Sequence, residues 1–586
     1  MFKRIKVWIA YQLLRIIYRA DALVFSKSLS CVRDTQSKIL FDILKANTKT
    51  EIGRKHKFAL IRDVKEYKRM VPISTFEDYE SYIETIALGR QNVLTRDPVL
   101  VLEPSSGSTA SSKYVPYTRS LRRECRRALA PWIYNLISFY PQITSGTAYW
   151  SITPITRSTK ISSGGIAIGF QDDSEYFGRF ARYWIRQIFT IPQEVSRLKD
   201  ITAFRYVTLL FLLKDKNVRL ISIWNPSFLV LLLEPLWGWR EMLIQDIEAG
   251  TISSTITIAP DLKKLLVSQL SSDPNRAQEL KMIFEEDKIH EGRKKGVEYL
   301  YKRIWPNLSL ISCWVDGNAA LYLPELKSYF PDIEIQPKGL IATEAIISIP
   351  LFGQKAGVLA VNSHFFEFIE LSSTDQNIQE PAETKLAHEI EVGKRYSVIV
   401  TTGGGLYRYH MQDCVEVVDY LRQCPVITFI GKSDKTVDLC GEKLNEQFIS
   451  PLLQKVFAKY KVSPVFFMIA PYQDKESKCS HYSLFLQFSE SAMVGINVLQ
   501  EMNIDVEFSL RKNFHYDYCR RLGQLQSLRI FLISPECQAA SKYLHCRNQD
   551  GQRLGTIKPA VLDKGLNWQE IFYGSFINES SRLSRI

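Results

Sequence analysis

The sequence predicts an α/β fold in which large sheets are covered by helices, followed by a smaller α+β unit. Three observations lead to that reading. From Ala148 onward, short apolar runs of strand length alternate with longer segments of helical period. The chain has 586 residues, more than one ordinary core organises, so two or three cores are expected. Past the turn Gly431-Lys-Ser-Asp-Lys435 the pattern restarts, with Val465 to Ile469 and Ser483 to Phe488 as strands. The expected domains are therefore 1–432 and 433–586, with no internal repeat and no low-complexity linker.

The elements follow in order. The first twenty residues carry Lys3, Arg4, Lys6, Arg15 and Arg19 and no acid, with Ile5, Trp8, Ile9, Leu13, Ile16 and Ile17 at helical spacing among them. A secretory signal needs an uninterrupted apolar stretch and a small-residue cleavage site, and both are missing. Two readings stay open: a helix packed on the protein body, or one in weak contact with a membrane surface. No segment reaches the ~20 apolar residues of a membrane span. The richest, Leu220 to Trp239, is broken by Asn225, Pro226, Glu234 and Pro235. Thr35 to Asn47 reads as an amphipathic helix, and Ser74-Thr-Phe-Glu77 as a capping box that opens another.

Val99 to Leu102 is a buried strand leading into the loop Glu103-Pro-Ser-Ser-Gly-Ser-Thr-Ala-Ser-Ser-Lys113. Small hydroxyl side chains around Gly107 and a closing lysine offer many donors and little bulk, which is what a polyphosphate needs. An ordinary Ser-rich turn has the same composition, and the glycine–lysine spacing of the common P-loop is absent. Arg119 to Arg127 is a helical stretch with five arginines. Lacking interleaved aromatics, it reads as a solvated helix face rather than a nucleic-acid grip.

Val218 to Ile223, Leu308 to Trp314 and Val398 to Thr402 read as strands, and Arg276 to Glu285 as a helix. Leu340-Ile-Ala-Thr-Glu344 reads as an apolar strand end that delivers a carboxylate. Such a group suits a magnesium ion travelling with nucleotide phosphates, although a plain surface acid fits the spacing as well. In Thr402-Gly-Gly-Gly-Leu-Tyr-Arg-Tyr-His-Met-Gln-Asp413 the triple glycine would let the backbone approach a ligand closely. Asp413 could accept both hydroxyls of a ribose; flexible hairpins use glycine runs too. Near the end, Gly551-Gln-Arg-Leu-Gly-Thr-Ile-Lys558 sets a lysine in a glycine-containing turn.

The formal charge of +13, from 75 basic and 62 acidic residues, suits any polyanion and selects none. With 46% hydrophobic residues the chain is globular. The ten cysteines contain no Cys-x-x-Cys, and no His-Glu-x-x-His occurs, which argues against a zinc site and for reduced thiols in the cytoplasm.

Taken in order, these stretches resemble the auxin-responsive Gretchen Hagen acyl-acid amido synthetases. That family sits in the adenylate-forming superfamily with firefly luciferase and the acyl-coenzyme A ligases. The likeness runs over nearly the whole chain, from Thr35-Gln-Ser-Lys-Ile-Leu and Ile52-Gly-Arg-Lys-His through Val71-Pro-Ile-Ser-Thr-Phe-Glu and Ile223-Trp-Asn-Pro-Ser. Its most specific parts are Ser105-Ser-Gly-Ser-Thr, Gly405-Leu-Tyr-Arg-Tyr with Asp413, and Gly441-Glu-Lys-Leu.

The resemblance implies a large N-terminal adenylate-forming domain and a smaller mobile C-terminal domain that turns about a seam near Lys432. It implies an ATP-dependent ligase that converts a small carboxylic acid to an acyl-adenylate and passes the acyl group to an amino acid. By the same resemblance Ser105, Ser106, Gly107, Ser108, Thr109 and Lys113 hold the triphosphate, Glu344 binds Mg2+, and Asp413 takes the ribose. Thr343, Tyr407 and Lys432 join the nucleotide set, Lys558 swings in for adenylation, and Trp224 to Ser227 contribute to the acid pocket. A cytoplasmic monomer without nucleic acid or transmembrane segment is expected.

The chain also departs from the pattern. The phosphate loop is short and lacks a second glycine, Gln412 replaces a glycine before the aspartate, and Lys432 stands where arginine is commoner. Arg to Lys loses a planar fork of donors. A different acceptor (amine, alcohol or thiol) and a non-catalytic nucleotide- or acid-binding protein are the alternatives.

Overall fold

In the computed structural model the chain is described except for residues 1, 106–112, 151–159, 170–178, 291–296, 372–382, 433–435, 438, 440, 441, 443, 474–479, 490–493, 522, 523, 550–559, 566, 567 and 578–586. Among the described residues no helix is long and apolar enough to cross a membrane.

A seven-stranded antiparallel sheet forms the middle of the large N-terminal domain. Its order is Thr384–Leu386, Phe365–Glu370, Arg395–Thr401, Tyr409–Leu421, Cys424–Lys432, Gly357–Leu359 and Ser348–Ile349. Val398, Ile399 and Val400 are fully buried at its centre, as their continuous apolar run requires. A four-stranded parallel sheet, Thr147–Trp150, Val218–Ser222, Leu310–Cys313 and Glu334–Pro337, lies in the same domain. Helices cover it, and the helix Ile201–Lys214 is apolar almost all round because it is buried almost all round. A smaller four-stranded sheet pairs Val99–Ser105 antiparallel with Lys113–Thr118 and parallel with Ala167–Ile168.

The smaller C-terminal domain has a mixed sheet, Phe466–Gln473, Ser480–Gln487, Arg529–Ile533 and Gly574–Phe576, with its own apolar core built on Leu453, Leu484, Met502 and Ile530.

Two local expectations change. The predicted capping box is displaced by one residue: Thr75 N–H donates to the Asp78 carboxylate at 2.8 Å, and the helix runs Glu77–Ala87. Ser74 is spent elsewhere, its hydroxyl donating to Tyr407 O at 2.9 Å and its N–H to Arg408 O at 3.0 Å. Leu340 to Glu344 is not a strand end. The chain reverses there, with a bridge between Ile341 and Ile346 and Ala342 N–H bonded to Ala345 O, so Thr343 and Glu344 sit at a tight bend.

Candidate active site

The site is built around the turn between strands Arg395–Thr401 and Tyr409–Leu421. Thr402 N–H donates to Leu406 O at 2.8 Å and closes the turn, and Gly405 has φ near 100°, a conformation that favours glycine. The three glycines read as room for a ligand from sequence, but protein occupies that room. A Cβ at Gly403 would lie 2.5 Å from Glu124 Oε1, at Gly404 2.9 Å from Leu121, and at Gly405 2.6 Å from Leu94. The turn is glycine-rich because other segments press against its backbone.

One of those segments is the arginine helix, Arg119–Phe139. Thr118 caps it by accepting from Leu121 N–H at 3.1 Å and donates its hydroxyl to Gly403 O at 2.9 Å. One turn on, the buried Glu124 carboxylate receives Gly403 N–H at 3.0 and 2.9 Å and contacts His364 Nδ1 at 3.0 Å. The other nitrogen, His364 Nε2, accepts from Ile346 N–H at 3.2 Å. It must therefore carry a lone pair, which puts the proton on Nδ1 facing Glu124. A continuous buried chain thus runs from the Glu344 bend through His364 and Glu124 to the glycine turn.

Arg408 anchors the other side. Buried, it pairs with both oxygens of Glu367 at 3.0 Å and donates to the carbonyls of Lys68 and Val71 at 2.8 Å. Tyr407 is buried too: its hydroxyl donates to Leu94 O at 2.9 Å and its N–H to the Tyr79 hydroxyl at 2.8 Å. Its side chain is thereby committed to the protein.

Two of the predicted residues, Glu344 and Asp413, act electrostatically on Tyr409. Burial first, then the nearby carboxylates of Glu344, Glu77 and Asp413, push its hydroxyl pKa well up. Those three acids come from the bend, from the helix Glu77–Ala87 and from the strand after the glycine turn. Two of them hold a lysine. Lys113 Nζ lies 3.7 Å from Glu77 and over the Phe76 ring at 5.3 Å. Lys432 Nζ lies 3.3 Å from the buried Asp413 and 3.3 Å from Met411 O, as the pairing of Asp413 with Lys432 across neighbouring strands dictates.

Gln412, where a glycine was expected, has φ of 61° and so keeps the left-handed conformation with a side chain attached. An L-residue is disfavoured there by ~1–2 kcal/mol. Asp316 sits beside this strand end. Burial pushes its carboxyl up to about 6, against a hydrogen bond from the Phe429 backbone that lowers it.

Ser105 pairs with Lys113 at the base of the loop hairpin. Ser106, Gly107, Ser108, Thr109 and Lys558 lie outside the described residues, as do Gly441 and Lys443. Trp224 packs with Trp314 at 5.4 Å and over the buried ammonium of Lys338 at 4.6 Å, which Trp132 and Trp150 also face. The arginine helix spends its charges locally, Arg126 on Asp21 and Arg127 on Asn362 O.

No group of three or more metal-ligating side chains occurs among the described residues. The half-buried Glu344 carboxylate fits magnesium all the same, because that ion accompanies phosphates with one or two protein carboxylates and its own waters.

Comparison with known proteins matches two adjoining stretches. Residues 23–335 match the model of the GH3 family N-terminal domain and residues 357–432 that of the GH3 family central domain. Among relatives, an indole-3-acetic acid-amido synthetase of Arabidopsis thaliana, GH3.2, is 24% identical over 500 residues, covering 81% of this chain and 88% of that one. Another from the same plant, GH3.15, is 26% identical over 508 residues, with 82% of each covered. The solved structure of GH3.15 acyl acid amido synthetase superposes with a TM-score of 0.79 at 20% identity, covering 95% of this chain and 96% of that one. The same enzyme in complex with 2,4-DB gives 0.81 at 20% identity, covering 94% and 95%. At these identities the superpositions establish the fold.

Proposed function

The chain belongs to the GH3 family, and on that premise we propose that it is an ATP-dependent acyl-acid amido synthetase. It joins a small carboxylic acid to an amino acid and releases pyrophosphate and AMP. The observation that carries the reading is the convergence of Glu344, Glu77 and Asp413 on Tyr409, with Lys113 and Lys432 beside two of the three acids.

A carboxylate is a poor electrophile, and joining its oxygen to the α-phosphate as a mixed acyl–phosphate anhydride gives it AMP as leaving group. The carboxylate attacks the α-phosphorus of ATP, pyrophosphate departs, and the acceptor amine then displaces AMP from the acyl carbon. The protein's task in the first step is to gather negative charge in one place and neutralise it as it builds. Lys113 is suited to this. Its contact with the exposed Glu77 carboxylate is long, and a phosphate oxygen offers a stronger charge-assisted bond. Ser105, Ser106, Gly107, Ser108 and Thr109 supply the remaining donors of the phosphate loop.

Asp413 accepts the ribose hydroxyls, with Lys432 holding its second oxygen in register. Glu344 would hold Mg2+, which would supply charge neutralisation at the phosphates, and its neighbour Thr343 would join the nucleotide-binding set. Tyr407 contributes by fixing the turn from which Asp413 projects. Lys558 comes from the C-terminal domain, residues 433–586. That domain turns against residues 1–432 about the segment after Lys432, so that one pocket serves both half-reactions. The protein works as a cytoplasmic monomer, consistent with cysteine spacings that form no disulfide framework.

The test is pyrophosphate and AMP release with ATP, magnesium and a panel of carboxylic acids, each with and without pooled amino acids. Pyrophosphate that depends on one acid, with AMP release stimulated by amino acids and an amide identified by mass, is the expected result. AMP release stimulated only by an amine, alcohol or thiol would move the acceptor. Tight ATP binding with no pyrophosphate from any acid would make the chain a binding protein.

A further inference from the structure

The first helix, Phe2–Ser28, uses only half of its circumference to fold. Val7, Tyr11, Leu14 and Tyr18 are buried against Ile133 and Ile137 of the arginine helix and against Ile185 and Ile188. On the outer side, every exposed residue of the described helix is either basic or apolar. Ile5, Ile9, Ile16 and Leu23 fall within an arc of roughly 40° at 3.6 residues per turn, so they form one line along the helix. Ile16 is 69% exposed and Trp8 51%, in positions where folding gains nothing from an apolar side chain.

Charge flanks the line on both sides. Arg15 and Arg19, with Trp8, lie along one edge and Lys6 along the other, and all three basic residues are exposed. Among the described residues none of the three is paired with an acid. The acid of this helix, Asp21, is half-buried and already holds Arg126 at 3.0 Å.

We propose that this face is a docking surface for an anionic lipid bilayer, with the helix lying parallel to the membrane and the rest of the protein above it. Apolar side chains enter the headgroup boundary, Trp8 sits at the interface, and the basic residues meet lipid phosphates and carboxylates. A second copy of the chain is a poorer occupant. A two-fold pairing through the same face brings basic residues of one copy, Lys6, Arg15 and Arg19, toward basic residues of the other, and like charges repel. This surface is separate from the glycine turn and stands whether or not the proposed activity does.

The test is cosedimentation of the full chain with vesicles of phosphatidylcholine alone and of phosphatidylcholine with about one third phosphatidylserine, in low salt and in about 0.5 M salt. Binding to the anionic vesicles, lost on neutral vesicles and weakened by salt, is expected. Each basic residue near such a surface contributes about fivefold in partitioning, so Arg15→Glu with Arg19→Glu loses at least about tenfold. Ile9→Glu with Ile16→Glu loses binding as well. Circular dichroism melting should not move, because these side chains are exposed. Absence of wild-type binding to anionic vesicles overturns the proposal. So does unchanged binding by Ile9→Glu/Ile16→Glu, or a wild-type dimer in solution that this same pair of substitutions dissolves.

Discussion

The two large sheets of the N-terminal domain differ in where they bury charge. Around the parallel sheet the core is mainly Leu, Ile, Val and aromatic side chains, with Leu209, Leu210, Ile221 and Ile311 fully enclosed, and its buried charges Lys338, Asp246 and Arg276 lie past a strand end and on the covering helices. Around the antiparallel sheet, polar and charged groups are buried together: the Glu124 carboxylate with the His364 ring, Glu367 with Arg408, and Asp413 with the half-buried Lys432 at its edge. Apolar packing tolerates substitution as long as volume is kept. A buried charge does not, since removing one partner strands the other. The parallel sheet is therefore scaffold, and the antiparallel sheet spends stability to fix one backbone course through the glycine turn.

The difference is sharpest for Arg408. Arg408→Ala leaves Glu367 buried without its guanidinium and the carbonyls of Lys68 and Val71 without a donor. A loss of about 3–5 kcal/mol is expected in chemical denaturation. In the parallel sheet, Ile221→Val removes one methyl group and is expected to cost about 1 kcal/mol. Equal losses in the two variants would erase the contrast.

Glu124→Gln sharpens the comparison at the site itself. With its carbonyl in the Oε2 position the amide can still accept from His364 Nδ1–H and Gly403 N–H, but its NH2 group then sits about where Oε1 accepted Gly403 N–H, donor against donor, and the negative charge facing the histidine is gone. About 1–3 kcal/mol of stability should be lost, with weaker ATP binding by calorimetry, because the histidine also holds the Glu344 bend. Retained ATP affinity would uncouple the two ends of that chain.

Asp316 adds a pH signature. Its carboxyl is raised from 3.8 to about 6 by burial, so the folded protein holds this proton more tightly than the unfolded chain. The stability this gives is fully present below pH 3.8 and is lost as pH rises through about 6. Asp316→Asn should flatten that part of the curve and leave the variant more stable than the wild type at neutral pH. The smallest effect is expected from Gln412→Gly. Relief of the left-handed conformation is offset by glycine's greater freedom in the unfolded chain, for a net gain below about 1 kcal/mol.

Much of the scaffold was legible because its signals are local. The helix Val32–Asn47 and the strands Val218–Ser222 and Leu310–Cys313 lie where apolar period placed them, to within a few residues. The site was legible in part. Glu344 and Asp413, singled out through motif and resemblance, both act on the buried Tyr409. The Glu124–His364 link joins residues 240 apart in sequence that belong to no common pattern. Glu367 did leave a trace, being an acid set among Phe365, Phe366, Phe368 and Ile369 in one strand. A charge in such a run needs a buried partner, and Arg408, between two tyrosines, is the corresponding cation. The glycine run was misread because sequence shows that a backbone is approached closely and not by what.

The central claim is that the strand after the glycine turn presents Asp413 to the nucleotide. Acid-dependent pyrophosphate release by the wild type and by Asp413→Asn tests it most directly, with ATP affinity measured alongside. Loss of a charged hydrogen-bond acceptor predicts a drop of about ten- to a hundredfold in kcat/KM for ATP. Unchanged kcat/KM and unchanged ATP affinity in Asp413→Asn would contradict it.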